Sequence, residues 1–351
     1  MKDKILFIQE FGEAVPSGII RGTIYQDELN KRNINYKIIN RNNEWLIRLI
    51  NKSNNFYLTY LLKGLNQLYR IFISLYIIIV SFLFDSIWLN KVLSFKFIYL
   101  IRFFNKKKTI NIDVVDNPYE DSQNWINSLK YVSSITTDNY YNQRKLKKYH
   151  SNVFIIPDYP IIHKFKDLNS KNKPINFNFG WVGSKSSYYL LEEIEDEIIY
   201  FLEQNNDVKF YLLGCPLESR LIKLKQVVSI PIYDEKKMID VISQLHVGLF
   251  PLDNSLASEV RGVLKATLYM AGNAVVLANP IGEINDLIID DFNGCLIKNI
   301  NEWSQKLSKL YYSRDVLNRI SENAYLKLIS NYSIESNCDK LLKVLENDDL
   351  D

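Results

Sequence analysis

The chain has 351 residues, 47% of them apolar, and a net charge of +3. That is too long for one ordinary core and rich enough in apolar residues for two, and no nucleic-acid partner is expected from so balanced a charge. The charge is unevenly spread, with 22 Lys/Arg against 12 Asp/Glu in residues 1–157 (+10) and 21 against 28 in the remainder (−7). The first half is therefore expected to face something anionic, a membrane surface or an acidic substrate, although solvated helix ends such as "NKKK" and "RKLKK" would give the same count.

In chain order, "KILFIQ" predicts a first strand, followed by a loop "EFGEAVPSG", a helix over 19–33 and a second strand "YKIIN". The run "IFISLYIIIVSFLF", Ile71 to Phe84, is an uncharged stretch of 14 residues, 12 of them apolar. It is short for a membrane span, which needs about 20, and is expected to form a buried core helix, with contact at a membrane surface as the alternative. The strand-then-helix cycle returns in "SIWL" with a helix over 90–104, "TINIDVV" with a helix over 122–132, and "SITT" with a helix over 139–149, before "VFIIP" closes the first unit. Alternation of this kind predicts a parallel sheet covered by helices. A polar, proline-bounded stretch over 158–174 reads as a linker. Beyond it "INFNFGWVGS", "VKFYLLG", "VVSIPIY", "HVGLFPL" and "AVVLA" predict a second set of strands, with an acidic helix over 188–205 and a helical tail after "GCLI". The expected organisation is an α/β protein with Rossmann-like domains at 1–157 and 175–330 and a final helical segment at 331–351 that could pack back on the first domain. Two such sheets would present their carboxyl edges to a cleft between the domains.

The stretch "RGVLKATLYMAGNAVVLANPIGE", Arg261 to Glu283, places Arg261 and Lys265 four residues apart at the start of a predicted helix. Cations there oppose the helix dipole by about 0.3–1 kcal/mol each, which is reasonable if a phosphate docks between them. Neutralisation by Glu259 and nearby carboxylates is the structural alternative. "GWVGSKSS" offers a second anion site, with Gly183 and Ser184 ahead of a long predicted helix, or an ordinary strand-to-helix turn. No dinucleotide fingerprint or Walker sequence is present. Cys215, Cys295 and Cys338 are widely separated, so neither a zinc site nor a disulfide framework is expected, and a cytoplasmic location fits.

Taken in order, "FGWVGS", "VKFYLLG", "VGLFPL", "RGVLKATLYMAG", "AVVLANPIGE" and "DFNGCLI" resemble the C-terminal domain of GT-B glycosyltransferases of the family 4 (group 1) kind, a bacterial cell-surface glycan type. The resemblance extends more loosely to "IDVVDNPYED" and "SSITTDNYYNQRKLKKY". It implies transfer of a sugar from a UDP- or GDP-linked donor to a glycan or lipid-linked acceptor, with retention, without a metal or resident cofactor, in the cytoplasm or at the inner face of the membrane. Arg261 and Lys265 would hold the donor diphosphate and neutralise the charge that develops on it. Gly183 and Ser184 would meet the phosphates, Ile232 and Tyr233 the base, and the backbone of Gly282, Glu283, Ile284 and Asn285 the sugar. Gly12, Ser17 and Gly18 would belong to a flexible loop after the first strand, and Asp116 could position an acceptor hydroxyl or simply be solvated.

The sequence departs from the pattern where many relatives carry two glutamates eight positions apart. Those positions hold Val260 and Leu268, and Glu259 lies one residue off. A donor site without its usual ribose carboxylate, a non-catalytic nucleotide-sugar-binding subunit and an epimerase on the same fold therefore stay open. His246, where an acid often precedes "VGL", is expected to be structural, and His150 and His163 are weak candidates for a base.

Overall fold

The computed structural model describes residues 4–14, 16–53, 55–92, 94–115, 123–165, 173–214, 219–231 and 234–346. The chain divides into two compact units, Met1–Tyr159 with Ile334–Asp351, and Pro160–Ser333.

The first unit is built on six parallel strands: β1 (Lys4–Gln9), β2 (Asn35–Asn40), β3 (Ser86–Asn90), β4 (Thr109–Asp113), β5 (Ser134–Thr137) and β6 (Val153–Ile155), in the order β2-β1-β3-β4-β5-β6. Successive side chains of a strand face opposite ways. Leu6 and Ile8 thus join Ile77, Val80, Phe97 and Ile101 on one side, while Ile5 and Phe7 join Tyr25, Leu29, Cys338 and Leu341 on the other. Both faces are covered, so β1 and β3 in the interior of the sheet read as unbroken apolar runs rather than alternating ones. The helix Ile334–Glu346 supplies Cys338, Leu341 and Leu345 to the second face.

Two expectations for this unit need correction. The single helix foreseen over 19–33 is three short pieces, Pro16–Ile20, Thr23–Tyr25 and Gln26–Lys31. Gly22 separates the first two because Gln9 packs so closely that a Cβ at Gly22 would lie 1.7 Å from its Nε2. Likewise, the apolar run from Ile71 is not a core helix. It belongs to a 26-residue helix, Phe56–Ser81, that buries a stripe through Leu62, Asn66, Ile77 and Val80 and leaves Leu61, Phe72 and Ile79 exposed. A sheet covers one side of a helix only, so a segment apolar all round must expose the remainder.

The second unit has the strand order β12-β11-β10-β7-β8-β9, all parallel: β7 (Asn178–Val182), β8 (Lys209–Leu213), β9 (Val227–Ile230), β10 (Val247–Phe250), β11 (Val275–Ala278) and β12 (Cys295–Leu296). Phe177, Phe179, Trp181, Phe201 and Phe210 form an aromatic core with Trp303 and Leu307. The acidic helix foreseen over 188–205 is broken into Tyr189–Glu192 and Glu195–Gln204. The break lets Glu195 turn inward, where its carboxylate accepts from Tyr188 Oη, Ser219 Oγ (3.1 Å) and Arg220 Nε (2.8 Å).

Candidate functional site

In an open parallel sheet, ligands settle at the carboxyl ends of the strands where the chain reverses its direction of progress across the sheet. In the second unit this point lies between β7 and β10, because β8 and β9 extend the sheet one way and β11 and β12 the other. Lys265, in the helix Leu264–Ala271, stands at that point. Its ammonium is 4.8 Å from the centre of the Trp181 ring near the end of β7, and 5.4 Å from that of Phe250, the last residue of β10. Burial and, second to it, the charge of Arg261 push the Lys265 pKa down to about 7. Among the described residues neither the Arg261 side chain nor the Lys265 ammonium has a hydrogen bond or an ion pair, and the exposed Glu259 pairs with neither. The helix also starts without a side-chain cap at Val263, so its first amides are open donors. Two cations and free amide donors with no anion among them are suited to binding one.

The surrounding backbone is held by residues that sequence reading did not single out. The buried Tyr269 hydroxyl accepts from the Val182 amide at 2.8 Å and donates to the Leu249 carbonyl at 3.3 Å, tying the ends of β7 and β10 together. Its ring occupies the space above Gly248, where a Cβ would be 2.3 Å away. Asn279 accepts from the Leu252 amide (2.9 Å) and donates to the Ile297 carbonyl (3.2 Å), linking the segments after β10, β11 and β12. Asp253 accepts from the hydroxyls of Ser255 and Ser258, which hold its carboxyl below the usual range and fix the turn before Leu256–Glu259.

The first unit has its own reversal point between β1 and β3. Glu10, just past β1, accepts from Arg41 (2.5 Å), Arg70 (2.9 Å) and Asn42 (3.1 Å). At the same edge four buried polar atoms have no partner among the described residues: Gln9 Oε1, Asn40 Oδ1, Arg41 Nε and Asn90 Nδ2. All four come from the carboxyl ends of β1, β2 and β3 or the next residue. Buried polar groups are normally satisfied, so such a cluster marks a place where a polar ligand would fit. Their signal in the sequence was present but faint: amide side chains closing three apolar strands.

No family model matches the chain, and none of the curated proteins matches it in sequence. Solved structures do. The chain is similar to HepE of Anabaena, solved with UDP and glucose, at 13% identity and a TM-score of 0.64 over 98% of this chain and 99% of that one. It is similar to a glycosyltransferase of Rickettsia africae at 14% and 0.66, covering 98% of both chains, and to sucrose-phosphate synthase of Thermosynechococcus elongatus at 11% and 0.62, again covering 98% of both. The fold is GT-B.

Within this GT-B scaffold the residues expected from the sequence fall as follows. Arg261 does not share a helix with Lys265: a single turn, Leu256–Glu259, ends before it, and the helix starts at Leu264. Gly262, a poor helix former, lies in the link between them. Gly183 packs against the Trp181 indole, 2.1 Å from where its Cβ would be. Ser184 leads into a one-turn 3-10 segment, Lys185–Ser187, and not a long helix. Its amide donates to Ser187 Oγ at 3.3 Å and its hydroxyl lies 2.8 Å from that of Ser186. Gly282 has φ +57°, and a Cβ there would meet the Glu259 carbonyl at 2.5 Å. After it, Glu283 precedes the turn Ile284–Leu287, the Ile284 side chain is buried, and the Asn285 amide donates to the Pro280 and Gly282 carbonyls.

In the first unit, the loop expected to be flexible is folded into Gly12–Ala14 and Pro16–Ile20. Gly12 (φ +57°) and Gly18 are in contact, a Cβ on Gly18 falling 1.7 Å from the Gly12 carbonyl oxygen, so both serve close packing. Asp116, Ile232 and Tyr233 lie outside the described residues, as does the Ser17 side chain.

His246 is buried at the opposite, amino edge of the sheet. It accepts from the Asn178 amide (3.0 Å), stacks on Phe177, and is pushed down to about 4 by burial and by Arg314 and Lys173. It lines a 680 Å³ cavity with Lys173, Asn273 and Arg314. The Lys173 ammonium there donates to the Leu245 and Gly272 carbonyls, so this cavity is a poorer candidate for anion chemistry than the site at Lys265. Asp290, Asp291 and Cys295 bring possible metal-ligand atoms within 4.8 Å of one another. Lys306 bridges both carboxylates and Lys309 pairs with Asp291, while burial raises the Cys295 thiol to about 12, a set better suited to ion pairing than to a cation.

Proposed function

We propose that the chain is a glycosyltransferase that takes a sugar from a nucleoside-diphosphate donor, UDP-linked in the first instance and GDP-linked as the alternative, and passes it to a glycan or lipid-linked acceptor. The observation that carries this reading is the pair Arg261 and Lys265, unpaired cations beside an uncapped helix start at the reversal point of the second sheet. The similar structures support it by what they hold: HepE was solved with UDP and with UDP-glucose, TarM with UDP and alpha-GlcNAc-glycerol, and the pneumococcal GtfA with UDP and GlcNAc.

In this reading the two cations and the helix amides bind the diphosphate and stabilise the negative charge that grows on it as the bond from the anomeric carbon to the phosphate oxygen breaks. Neutralisation by side chains supplies what a metal would, so a metal-independent reaction is proposed. Retention follows the family resemblance: the acceptor oxygen bonds to the anomeric carbon on the face the phosphate leaves, and its proton passes to a leaving-phosphate oxygen. Gln9, Asn40 and Asn90, with unpartnered atoms at the reversal point of the first sheet, would hydrogen-bond acceptor hydroxyls.

The test is thermal stabilisation by UDP, GDP, CMP and their sugar conjugates, with Lys265→Ala alongside. A ligand at 100 times its Kd adds about 2.7 kcal/mol. One diphosphate is expected to stabilise the wild type and to lose most of that effect in the variant. No stabilisation by any of them would overturn the donor reading. Val260 and Leu268, where relatives carry glutamates, favour a second reading, a subunit that binds the nucleotide sugar without turning it over. That reading predicts the same stabilisation but no released nucleotide with any acceptor.

A further inference from the structure

The Phe56–Ser81 helix is about 39 Å long and is the most apolar exposed feature among the described residues: in its most hydrophobic 18-residue window only 22% is buried. Exposed side chains recur every three or four residues along one face, through Leu61, Leu65, Leu68, Phe72, Leu75 and Ile79, opposite the buried stripe. The patch continues onto the neighbouring helix Phe95–Phe104, whose Phe104 meets Phe82 edge-to-face at 6.4 Å. Soluble surfaces rarely carry contiguous apolar area on this scale without a partner.

Length and composition would allow this helix to cross a membrane, yet its inner stripe is fastened to the rest of the first unit from Leu62 to Ser81. Asn66 donates to Asn42 (2.7 Å) and accepts from the Asn43 amide (3.0 Å), Arg70 donates to Glu10 (2.9 Å), and Ser81 accepts from Asn105 (2.8 Å) and Lys108 (2.7 Å). Such a helix can lie on a bilayer but not leave the protein to span one.

We propose that the outer face of these two helices is a lipid-contacting surface that rests the first unit on an anionic membrane. Charge selects this occupant. Residues 45–112 contain ten Lys/Arg, of which Arg70, Arg102 and Lys108 are turned inward by hydrogen bonds, and a single acid, Asp85, which is engaged by the Lys4 amide. Lys106 sits over the Phe103 ring at 5.6 Å, placing a cation at the rim of the apolar patch. A second copy of the same face would bring like charges together. Anionic headgroups above acyl chains match both the basic rim and the apolar centre, and tyrosines at 57, 60 and 76 suit the boundary between them. The proposal does not depend on the donor reading.

The test is co-sedimentation of the full chain with vesicles of phosphatidylcholine alone and of equal parts phosphatidylcholine and phosphatidylglycerol, at low and high salt. Leu68→Asp/Phe72→Asp and Lys106→Glu/Lys107→Glu are compared with the wild type. Expected are binding to the anionic vesicles that weakens with salt, and a loss on the order of tenfold or more in each variant. Absence of binding at low salt would overturn the proposal, as would equal binding by the Leu68→Asp/Phe72→Asp variant. A salt-stable dimer abolished by that variant, without vesicle binding, would assign the face to a second copy instead. Circular dichroism confirms that the variants fold, and their stabilisation by UDP, expected to be unchanged, separates failure here from failure of the donor site.

Discussion

The Lys265 ammonium lies 4.8 Å from the centre of the Trp181 ring, and among the described residues the charge that acts on it is the like charge of Arg261. Burial beside a second cation, with no anion, disfavours the charged form. Lys265→Met should therefore stabilise the protein at pH 7 by up to a few kcal/mol, read as a clear rise in Tm, while removing the response to diphosphate. The sign follows from proton uptake. With a folded pKa of about 7 against an ordinary 10.5, the unfolded chain holds more protons between these values, so wild-type stability is regained as pH rises from 7 to 10.5. The gap between variant and wild type should be full below pH 7 and close above 10.5. A variant that is less stable at neutral pH would show that Lys265 is satisfied by a group in the free protein.

The same pKa sets the pH dependence of donor binding. A diphosphate favours the ammonium, so binding should take up a proton between pH 7 and the higher pKa of the complex. Diphosphate affinity should fall by up to about tenfold per pH unit above 7. Calorimetry in two buffers of different ionisation enthalpy measures that uptake directly. Affinity independent of pH from 7 to 9 would remove Lys265 from the phosphate site.

Tyr269→Phe keeps the ring above Gly248 but withdraws the hydroxyl that joins the Val182 amide to the Leu249 carbonyl. A buried amide left unsatisfied costs about 1–3 kcal/mol, and the loss should appear in the urea midpoint with an unchanged m-value. Because those two groups end β7 and β10, donor affinity should drop as well. A variant as stable as the wild type would mean that the Val182 amide finds another acceptor.

Much of this architecture was legible beforehand, and what was not has a physical cause. Strands such as β1, β3, β10 and β11 could be read because a parallel sheet buried on both faces favours unbroken apolar runs. Arg261 and Lys265 stand out because cations at a predicted helix start oppose its dipole, although the structure puts only Lys265 inside the helix. Tyr269 and Asn279 could not be recognised, since their roles are set by partners 87 and 18 residues away that a local pattern does not reveal. The run Ile71 to Phe84, expected in the core, lies instead largely on a helix with an exposed apolar face, for a related reason. Apolar composition records that a segment avoids water and does not say whether protein or lipid replaces it.

Asn90 offers a test that separates function from folding in the first unit. Its side chain is buried at the carboxyl end of β3, yet Nδ2 has no partner. An unsatisfied buried donor is itself destabilising, so Asn90→Leu, close in volume, should leave stability unchanged or raise it by about 1 kcal/mol. If the orphan atoms of Gln9, Asn40 and Asn90 await acceptor hydroxyls, the same change should raise the KM for acceptor and leave donor stabilisation intact. A stable variant with an unaltered acceptor KM would place the acceptor elsewhere. A strongly destabilised one would mean that the amide already has a partner, such as a bound water, in the free protein.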